Sequence, residues 1–402
     1  MIEELKKEKK ILHFITNLPS RDLISIATLK KIIKGYFNNI LHPEIARYLH
    51  PETRKYKRKV EAPKKIFNYI LCMFAQRFGI FISEPPPPVV RVEVVRGCNF
   101  KCIMCGAWKF KLKFLTFDQV KYILHYFRSS WIFLPHAIGE PFLNKDIYEI
   151  SRYAHYNLNF LIDISSNFSV INPERALDMG AYEIRASIDS INKEKFFELR
   201  HGNFNKVKEN LVEILRLKQK QNKIYPMVSI NTVISKLNID EIEDILNFGL
   251  SLGVRRFHWI TLSDGHLLSK PYDISLEDIL NLRKILHKYE REAAIKFLSF
   301  RGDIVGYEAD GYCFHAFQIP SIDVEGNVYP CYRVLGDKSS SFGNIFSEPQ
   351  KVFKNRSLFL RKFRSSPPEF CKRCELYYRK PGVYFYKSKI FKFPVFRQPI
   401  RF

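Results

Sequence analysis

The chain has 402 residues, 46% of them apolar, and a net charge of +24. That size and composition suit a globular protein with one large α/β domain, a smaller companion and a substantial core. The N-terminus lacks a signal peptide's apolar centre, and no apolar run approaches the ~20 residues of a membrane span, so the expected location is the reducing cytoplasm. There, the eight cysteines bind metal or do redox chemistry more often than they form disulfides. The surplus charge sits at the ends: residues 1–88 hold 17 Lys/Arg against 8 Asp/Glu, and residues 351–402 hold 15 against 2. A basic periphery suits an anionic partner, either a membrane surface or a nucleic acid. A solvated lysine-rich surface is the plain alternative.

Residues 1–88 read as a basic helical extension, most periodic over 21–48 and 63–82. The second stretch could lie on a membrane surface, but such a helix more often packs on the domain that follows. Cys72 within it reads as a small buried hydrophobe. Pro85 to Pro88 is a stiff spacer. From Val89 to about Ser299 strands and helices alternate, the mark of parallel α/β units. Strands are predicted near 89–96, 131–136, 159–165, 182–188, 226–234 and 254–260. Helices are predicted near 116–128, 145–156, 173–179, 204–221 and 239–251.

The first strand delivers Cys98-Asn99-Phe100-Lys101-Cys102-Ile103-Met104-Cys105. Thiolates are the usual ligands of iron–sulfur clusters, and this C-x₃-C-x₂-C spacing lets one loop wrap one cluster. Three ligands for four irons leave one iron open to a substrate, as in a catalytic zinc site with three protein ligands. Gly139-Glu140-Pro141, Ser165-Ser166-Asn167 and Ser187-Ile188-Asp189 follow the next three strands, and parallel barrels do their chemistry at these C-terminal ends. Ser187 and Asp189 are expected to point the same way. Each motif also has a bland reading, as a turn or a helix cap. Arg200-His201-Gly202-Asn203-Phe204 comes next, and Arg200 could grip a carboxylate bidentately or make a surface salt bridge. Asn231, His258 and Trp259 fall on the fifth and sixth strands, facing the barrel mouth or interior, with core packing the commoner reading.

Cys313, Cys331, Cys371 and Cys374 lie beyond the repeats. Asp323 to Cys331 reads as a hairpin turning at Glu325-Gly326-Asn327, and a basic helix is expected near 349–364. A zinc ribbon would use the same four ligands. Residues 376–402 carry seven Lys/Arg, no acid and many aromatics. Such a tail suits a bilayer interface, or single-stranded nucleic acid whose bases stack on rings. Packing on the protein itself is the bland reading.

The Cys98–Cys105 octapeptide resembles the signature of the radical S-adenosylmethionine (radical SAM) enzymes, with Met104 where an aromatic is common. The resemblance implies an α/β fold, a partial (β/α)6 TIM-like barrel. It implies a 4Fe–4S cluster on Cys98, Cys102 and Cys105, with S-adenosylmethionine chelated to the open iron. Reductive cleavage would then yield a 5′-deoxyadenosyl radical that abstracts hydrogen from a peptide, sugar, lipid or other small molecule. Gly139 and Glu140 are similar to the family segment that meets the amino group of S-adenosylmethionine. Ser166 and Asn167 resemble a segment beside the cofactor, and Ser187 and Asp189 one that reaches its ribose or methionine part. Arg200 resembles a residue that holds the methionine carboxylate. The pattern Cys313…Gly326-x₄-Cys331…Cys371-x₂-Cys374 resembles the SPASM domain, which implies a second, auxiliary 4Fe–4S cluster for electron transfer. The expected organisation is a helical extension over 1–88, the barrel over 89–300, a small SPASM-like domain over 301–375 and a basic aromatic tail over 376–402. The implied partners are S-adenosylmethionine and an electron donor such as flavodoxin or ferredoxin. The basic ends suit an anionic membrane surface, which would make this cytoplasmic protein peripheral to the membrane; nucleic acid is the less favoured partner. The rival reading is a non-enzymatic zinc-ribbon protein that binds nucleic acid.

Overall fold

Val89–Val92 (β1) is almost wholly apolar and largely buried, as a strand covered on both faces must be. It sits at the middle of the sheet. The computed structural model describes residues 87–262, 272–289, 292–299, 313–363, 365–372 and 374, with Lys65, Asn68 and Cys72. All of them belong to one unit, Val60–Arg401. The predicted helix over 21–48 and the tail over 376–402 lie outside the described residues.

The remaining strands are Val95–Arg96 (β2), Lys113–Phe114 (β3), Ile132–Leu134 (β4), Leu161–Ser166 (β5), Glu183–Ser187 (β6), Met227–Ile234 (β7), Arg256–Thr261 (β8), Ala294–Ser299 (β9), Ser321–Ile322 (β10), Asn327–Tyr329 (β11) and Gly343–Asn344 (β12). Ten of them form one sheet in the order β12-β11-β10-β1-β4-β5-β6-β7-β8-β9. Neighbours from β10 through β9 run parallel. The two ends of the sheet are not paired with each other, so it is a partial barrel. The predicted strands match β1 with β2, and then β4 to β8. One parallel strand, β9, was not predicted, nor were the helices Lys193–Arg200 and Leu276–His287. The predicted hairpin is β10 and β11, antiparallel with Ser321 opposite Tyr329. Because β10 pairs with β1, the cysteine-rich C-terminal region extends the barrel's own sheet.

Alternation along the strands separates two environments. Ile162, Ile164, Ile184, Ala186, Val228, Ile230, Phe257 and Trp259 enter the main apolar core beneath the helices. The residues between them are polar: Asp163, Glu183, Arg185, Ser229, Asn231, Arg256 and His258, all buried. Trp259 is stacked on Phe257 in the core, with centroids 6.0 Å apart, which is the core-packing reading of that residue. The extension docks through the few residues described there. Lys65 Nζ donates to the carbonyls of Leu158 and Asn159 at 2.8 and 3.2 Å. The fully buried Cys72 donates to Phe317 O at 3.4 Å, and burial pushes its thiol up to about 12. Among the described residues no helix is long and apolar enough to cross a membrane.

Glu93 locks β1 to the C-terminal region. It is fully buried, and one oxygen accepts from Arg96 Nη2 at 2.7 Å, Arg96 Nε at 3.0 Å and the Val324 amide at 3.0 Å. Burial nevertheless pushes its carboxyl up from 4.5 to about 7. The native state then holds a proton that the unfolded chain has released, so this group's contribution to stability falls as pH rises from about 4.5 to about 7. Urea unfolding across that window is expected to show a shallower fall in Glu93→Gln than in wild type. Identical slopes would refute this.

Candidate active site

The loop after β2 carries the three thiols, and its backbone is pinned at several points. Gly97 and Gly139 bridge in parallel, and the Glu140 amide donates to Gly97 O at 3.2 Å. Asn144 Nδ2 donates to Val94 O at 3.1 Å and Leu115 O at 2.8 Å. The Ile103 amide donates to Leu199 O at 3.0 Å, which ties the loop to the helix Lys193–Arg200. Phe100 packs edge-on against Phe196 at 6.3 Å. Gly202 is required for that packing, because a Cβ there would fall 2.3 Å from the Phe100 ring.

The thiols themselves are oriented by amides. Phe100 N–H donates to Cys98 Sγ at 3.4 Å, and Ala107 N–H to Cys105 Sγ at 3.5 Å. Asn167 Nδ2 lies 3.7 Å from Cys98 Sγ and donates to Asn99 Oδ1 at 2.9 Å. Burial, helped by Glu140, pushes the Cys98 thiol up to about 12. Burial pushes Cys102 up to about 11, against the pull of Arg200. Buried thiols of this kind ionise only against a strong cationic field, and bound iron supplies one. None of the eight cysteines is disulfide-bonded.

Glu140 is 2% exposed. It accepts from the Phe142 amide at 3.1 Å, Ser166 Oγ at 2.8 Å and the Asn167 amide at 2.6 Å. Glu140, Ser166 and Asn167 are therefore in contact with one another, next to Gly139 and Cys98. The Glu140 carboxylate is engaged within the protein, and burial pushes it up to about 7 despite its donors.

Ser187 and Asp189 part company. Ser187 closes β6. Asp189 lies beyond the strand and is fully buried, with Oδ1 accepting from the Val233 amide at 2.8 Å and Oδ2 2.7 Å from Arg200 Nε. Asp189 is thereby held by Arg200, a buried compensating cation. Burial lowers the Arg200 pKa, but Asp189 and the Cys102 and Cys105 thiols outweigh it and the net direction is up. Arg200 thus stands between a buried carboxylate and two of the three sulfurs.

Sequence reasoning missed a charged interior. Arg185 is paired with Asp163, and Glu183 accepts from Arg256 at 2.7 Å and meets His258 at 2.6 Å. A charge inside an apolar strand run, as in Ile162-Asp163-Ile164 or Ile184-Arg185-Ala186, was the available signal. Arg91 differs: among the described residues its Nε has no hydrogen-bond partner, and its guanidinium stacks on Tyr332 at 4.7 Å, beside Cys331. Arg91 and Arg185 also act on His136, which burial has already pulled well below its usual range.

The second thiol set falls in two neighbouring packing clusters that share Phe370. Cys313 and Cys371 pack with Phe317, Leu360 and Phe363, with Cys374 against them, while Cys331 packs with Tyr329 and Val334. The four are mutually coupled, since Cys371 feels Cys313, Cys331 and Cys374. Amides of Ala316 and His315 face Cys313, and those of Arg333 and Val334 face Cys331. Both donor sets, all sulfur with amide support, fit iron–sulfur clusters.

Comparison with known proteins agrees with this geometry. Residues 92–249 match the radical SAM superfamily, and residues 313–375 match an iron–sulfur cluster-binding domain, SPASM. The chain is 25% identical over 328 residues to the AdoMet-dependent heme synthase of Methanosarcina barkeri, covering 72% of this chain and 87% of that one. It is 27% identical over 329 residues to the molybdenum cofactor biosynthesis protein moc-5 of Caenorhabditis elegans, covering 72% of this chain but 53% of that longer protein. In fold it is similar to Streptococcus suis SuiB bound to S-adenosylmethionine, with a TM-score of 0.57 and 17% identity over 87% of this chain and 83% of that one. A zinc-ribbon nucleic-acid-binding protein finds no support among these. A thiol loop at the C-terminal end of β2, a partial parallel barrel and a second four-thiol set agree with the matched families, and the chain belongs to the radical SAM superfamily, as an enzyme of S-adenosylmethionine and a 4Fe–4S cluster with an auxiliary iron–sulfur domain.

Proposed function

We propose that Cys98, Cys102 and Cys105 hold the 4Fe–4S cluster that binds S-adenosylmethionine, and that Cys313, Cys331, Cys371 and Cys374 hold the auxiliary one. The observation that carries this is the three-thiol loop pinned to Gly139 and Leu199, with amides donating to two of its sulfurs. With both groups bound, the chemistry supplied is reductive cleavage to a 5′-deoxyadenosyl radical and abstraction of hydrogen from the substrate. The chain's own contribution is positional. The Glu140 cradle fixes the Gly139 backbone beside Cys98 for the amino group of S-adenosylmethionine. Asp189 holds Arg200, whose remaining nitrogens serve the methionine carboxylate, and Ser187 serves the ribose or methionine part. Arg91, whose Nε has no hydrogen-bond partner among the described residues, favours a substrate with an anionic group, be it a peptide, sugar, lipid or other small molecule. An electron donor such as flavodoxin or ferredoxin would reduce the clusters, and the basic ends favour an anionic membrane surface.

The test uses anaerobically reconstituted protein beside a variant with Cys98, Cys102 and Cys105 all replaced by alanine. Two cubanes give about eight irons, and the variant is expected to keep about four. Formation of 5′-deoxyadenosine with dithionite and S-adenosylmethionine is expected to vanish in the variant. Zinc in place of iron, with no cleavage by wild type, would overturn the assignment.

A further inference from the structure

Seven consecutive residues next to the radical-cluster loop are exposed: Trp108-Lys109-Phe110-Lys111-Leu112-Lys113-Phe114. Trp108, Phe110, Leu112 and Phe114 are 39%, 47%, 48% and 47% exposed. An edge strand normally buries one face and shows the other; this segment shows both. Folding leaves four large apolar side chains in water side by side, and contiguous patches of that kind mark interaction sites. Among the other described residues, exposed apolar side chains such as Val170, Phe197 and Ile224 are separated along the chain, and Tyr122 and Tyr126 form a pair.

The backbone of the segment is held in place. β3 pairs with β2, with Val95 opposite Phe114 and Arg96 opposite Lys113. The returning chain passes so close to Gly97, at φ +100°, that a Cβ there would lie 3.0 Å from Leu112 Cδ2 and 3.1 Å from Phe110 O. Lys113 is tied to Glu325 at 2.8 Å. The side chains are thus presented by a fixed scaffold that begins three residues after Cys105.

Charge selects the partner. From Val94 to Phe117 the chain carries five Lys/Arg and no acid. Aromatic and aliphatic side chains interleaved with lysines match a bilayer interface, where rings sit at headgroup depth and lysines meet anionic phosphates. Single-stranded nucleic acid would use the rings and lysines but gains nothing from Leu112.

We propose that residues 108–114 are an interfacial docking element that seats the enzyme on an anionic lipid surface, with the radical-cluster loop beside the membrane. This rests on the membrane reading above but requires neither end of the chain. The partner is a phospholipid surface, and the substrate it favours is one that partitions into it.

Trp108 makes the test direct. The chain has three tryptophans, and Trp131 and Trp259 are 3% and 0% exposed. Full-length reconstituted protein is mixed with vesicles of phosphatidylcholine, with or without one-third phosphatidylglycerol, or with a thymidine oligonucleotide. Co-sedimentation with the anionic vesicles and a blue shift of Trp108 emission are expected, with little effect of the neutral ones. Lys109→Glu with Lys111→Glu is expected to weaken partitioning at least about tenfold, and Trp108→Ser with Phe110→Ser by a similar factor. Both variants should still form 5′-deoxyadenosine at the wild-type rate, so that failure of docking and failure of the radical chemistry are read separately. The proposal is overturned if both variants sediment like wild type, which would place contact at the chain ends. It is also overturned if Trp108 emission responds to the oligonucleotide alone or to nothing.

Discussion

Arg200→Ala is expected to destabilise the protein by about 3–5 kcal/mol, because it leaves a buried carboxylate without its counter-ion. Asp189 is fully buried and Arg200 is 6% exposed, so water cannot replace the lost guanidinium. The Val233 amide on Oδ1 offsets only part of the charge. Arg200→Lys is expected to recover part of the loss, since an ammonium restores the charge but not the fork that reaches Asp189 and the thiols together. Asp189→Asn is expected to cost less than Arg200→Ala, because the amide oxygen can still accept from the Val233 amide or from Arg200. Urea unfolding of the four proteins under anaerobic conditions gives the order directly. Isothermal titration of S-adenosylmethionine gives the second readout. A purely structural pair would move stability and leave affinity intact in the lysine variant, whereas the role proposed for Arg200 predicts weaker binding there too. A loss below about 1 kcal/mol for Arg200→Ala would place the pair in the class of solvated ion pairs and remove it from the site.

Gly139→Ala is the second large effect, expected at about 2–5 kcal/mol from backbone strain and overpacking together. Gly139 has φ +149°, and an added Cβ would lie 2.6 Å from both Gly97 O and Val95 O. Those are backbone atoms on the strand that delivers Cys98, so neither can swing aside as a side chain would. Relief requires parting the Gly97–Gly139 bridge and losing the Glu140 amide bond to Gly97. The Glu140 cradle moves with it. Reconstituted Gly139→Ala is expected to lose iron from the radical site while the auxiliary site, on separate elements, keeps its own. Wild-type iron content and wild-type stability in this variant would show that the loop yields where the geometry says it cannot. Gly253 is the natural control: it also has positive φ, at +87°, but an added Cβ would have nothing within 4 Å, so only the smaller strain cost is expected there.

The strands were legible because apolar residues recur along them, as Val228, Ile230, Val233 and Ile234 or Phe257, Trp259 and Ile260 do, to pack a parallel sheet beneath its helices. The helix Lys193–Arg200 escaped notice because its exposed side is charged and Phe197 lies on it, so its apolar periodicity is weak; Asn192 starts it by capping the Lys195 amide at 2.9 Å. The strand β9, Ala294–Ser299, escaped because it follows a helix that was itself not predicted. Within the site, Gly139, Glu140, Ser166 and Asn167 were legible as motifs. What each does was not: the Glu140 carboxylate is engaged by Ser166 and Asn167 at the end of the neighbouring strand β5, 26 and 27 residues away.

By itself the sequence determined which atoms can hold iron, where they sit on the chain and the alternation that makes a parallel barrel. Those properties are local, since thiol spacing and apolar period are set by neighbours a few residues apart. Only the tertiary structure decided that Asp189 belongs to Arg200, that Glu183 serves both Arg256 and His258, and that four apolar side chains beside the cluster loop stay in water. A charge finds its partner across strands whose register the sequence does not print, here 73 and 75 residues apart for Glu183. Exposure depends on what the rest of the chain leaves uncovered, and no local pattern carries that information.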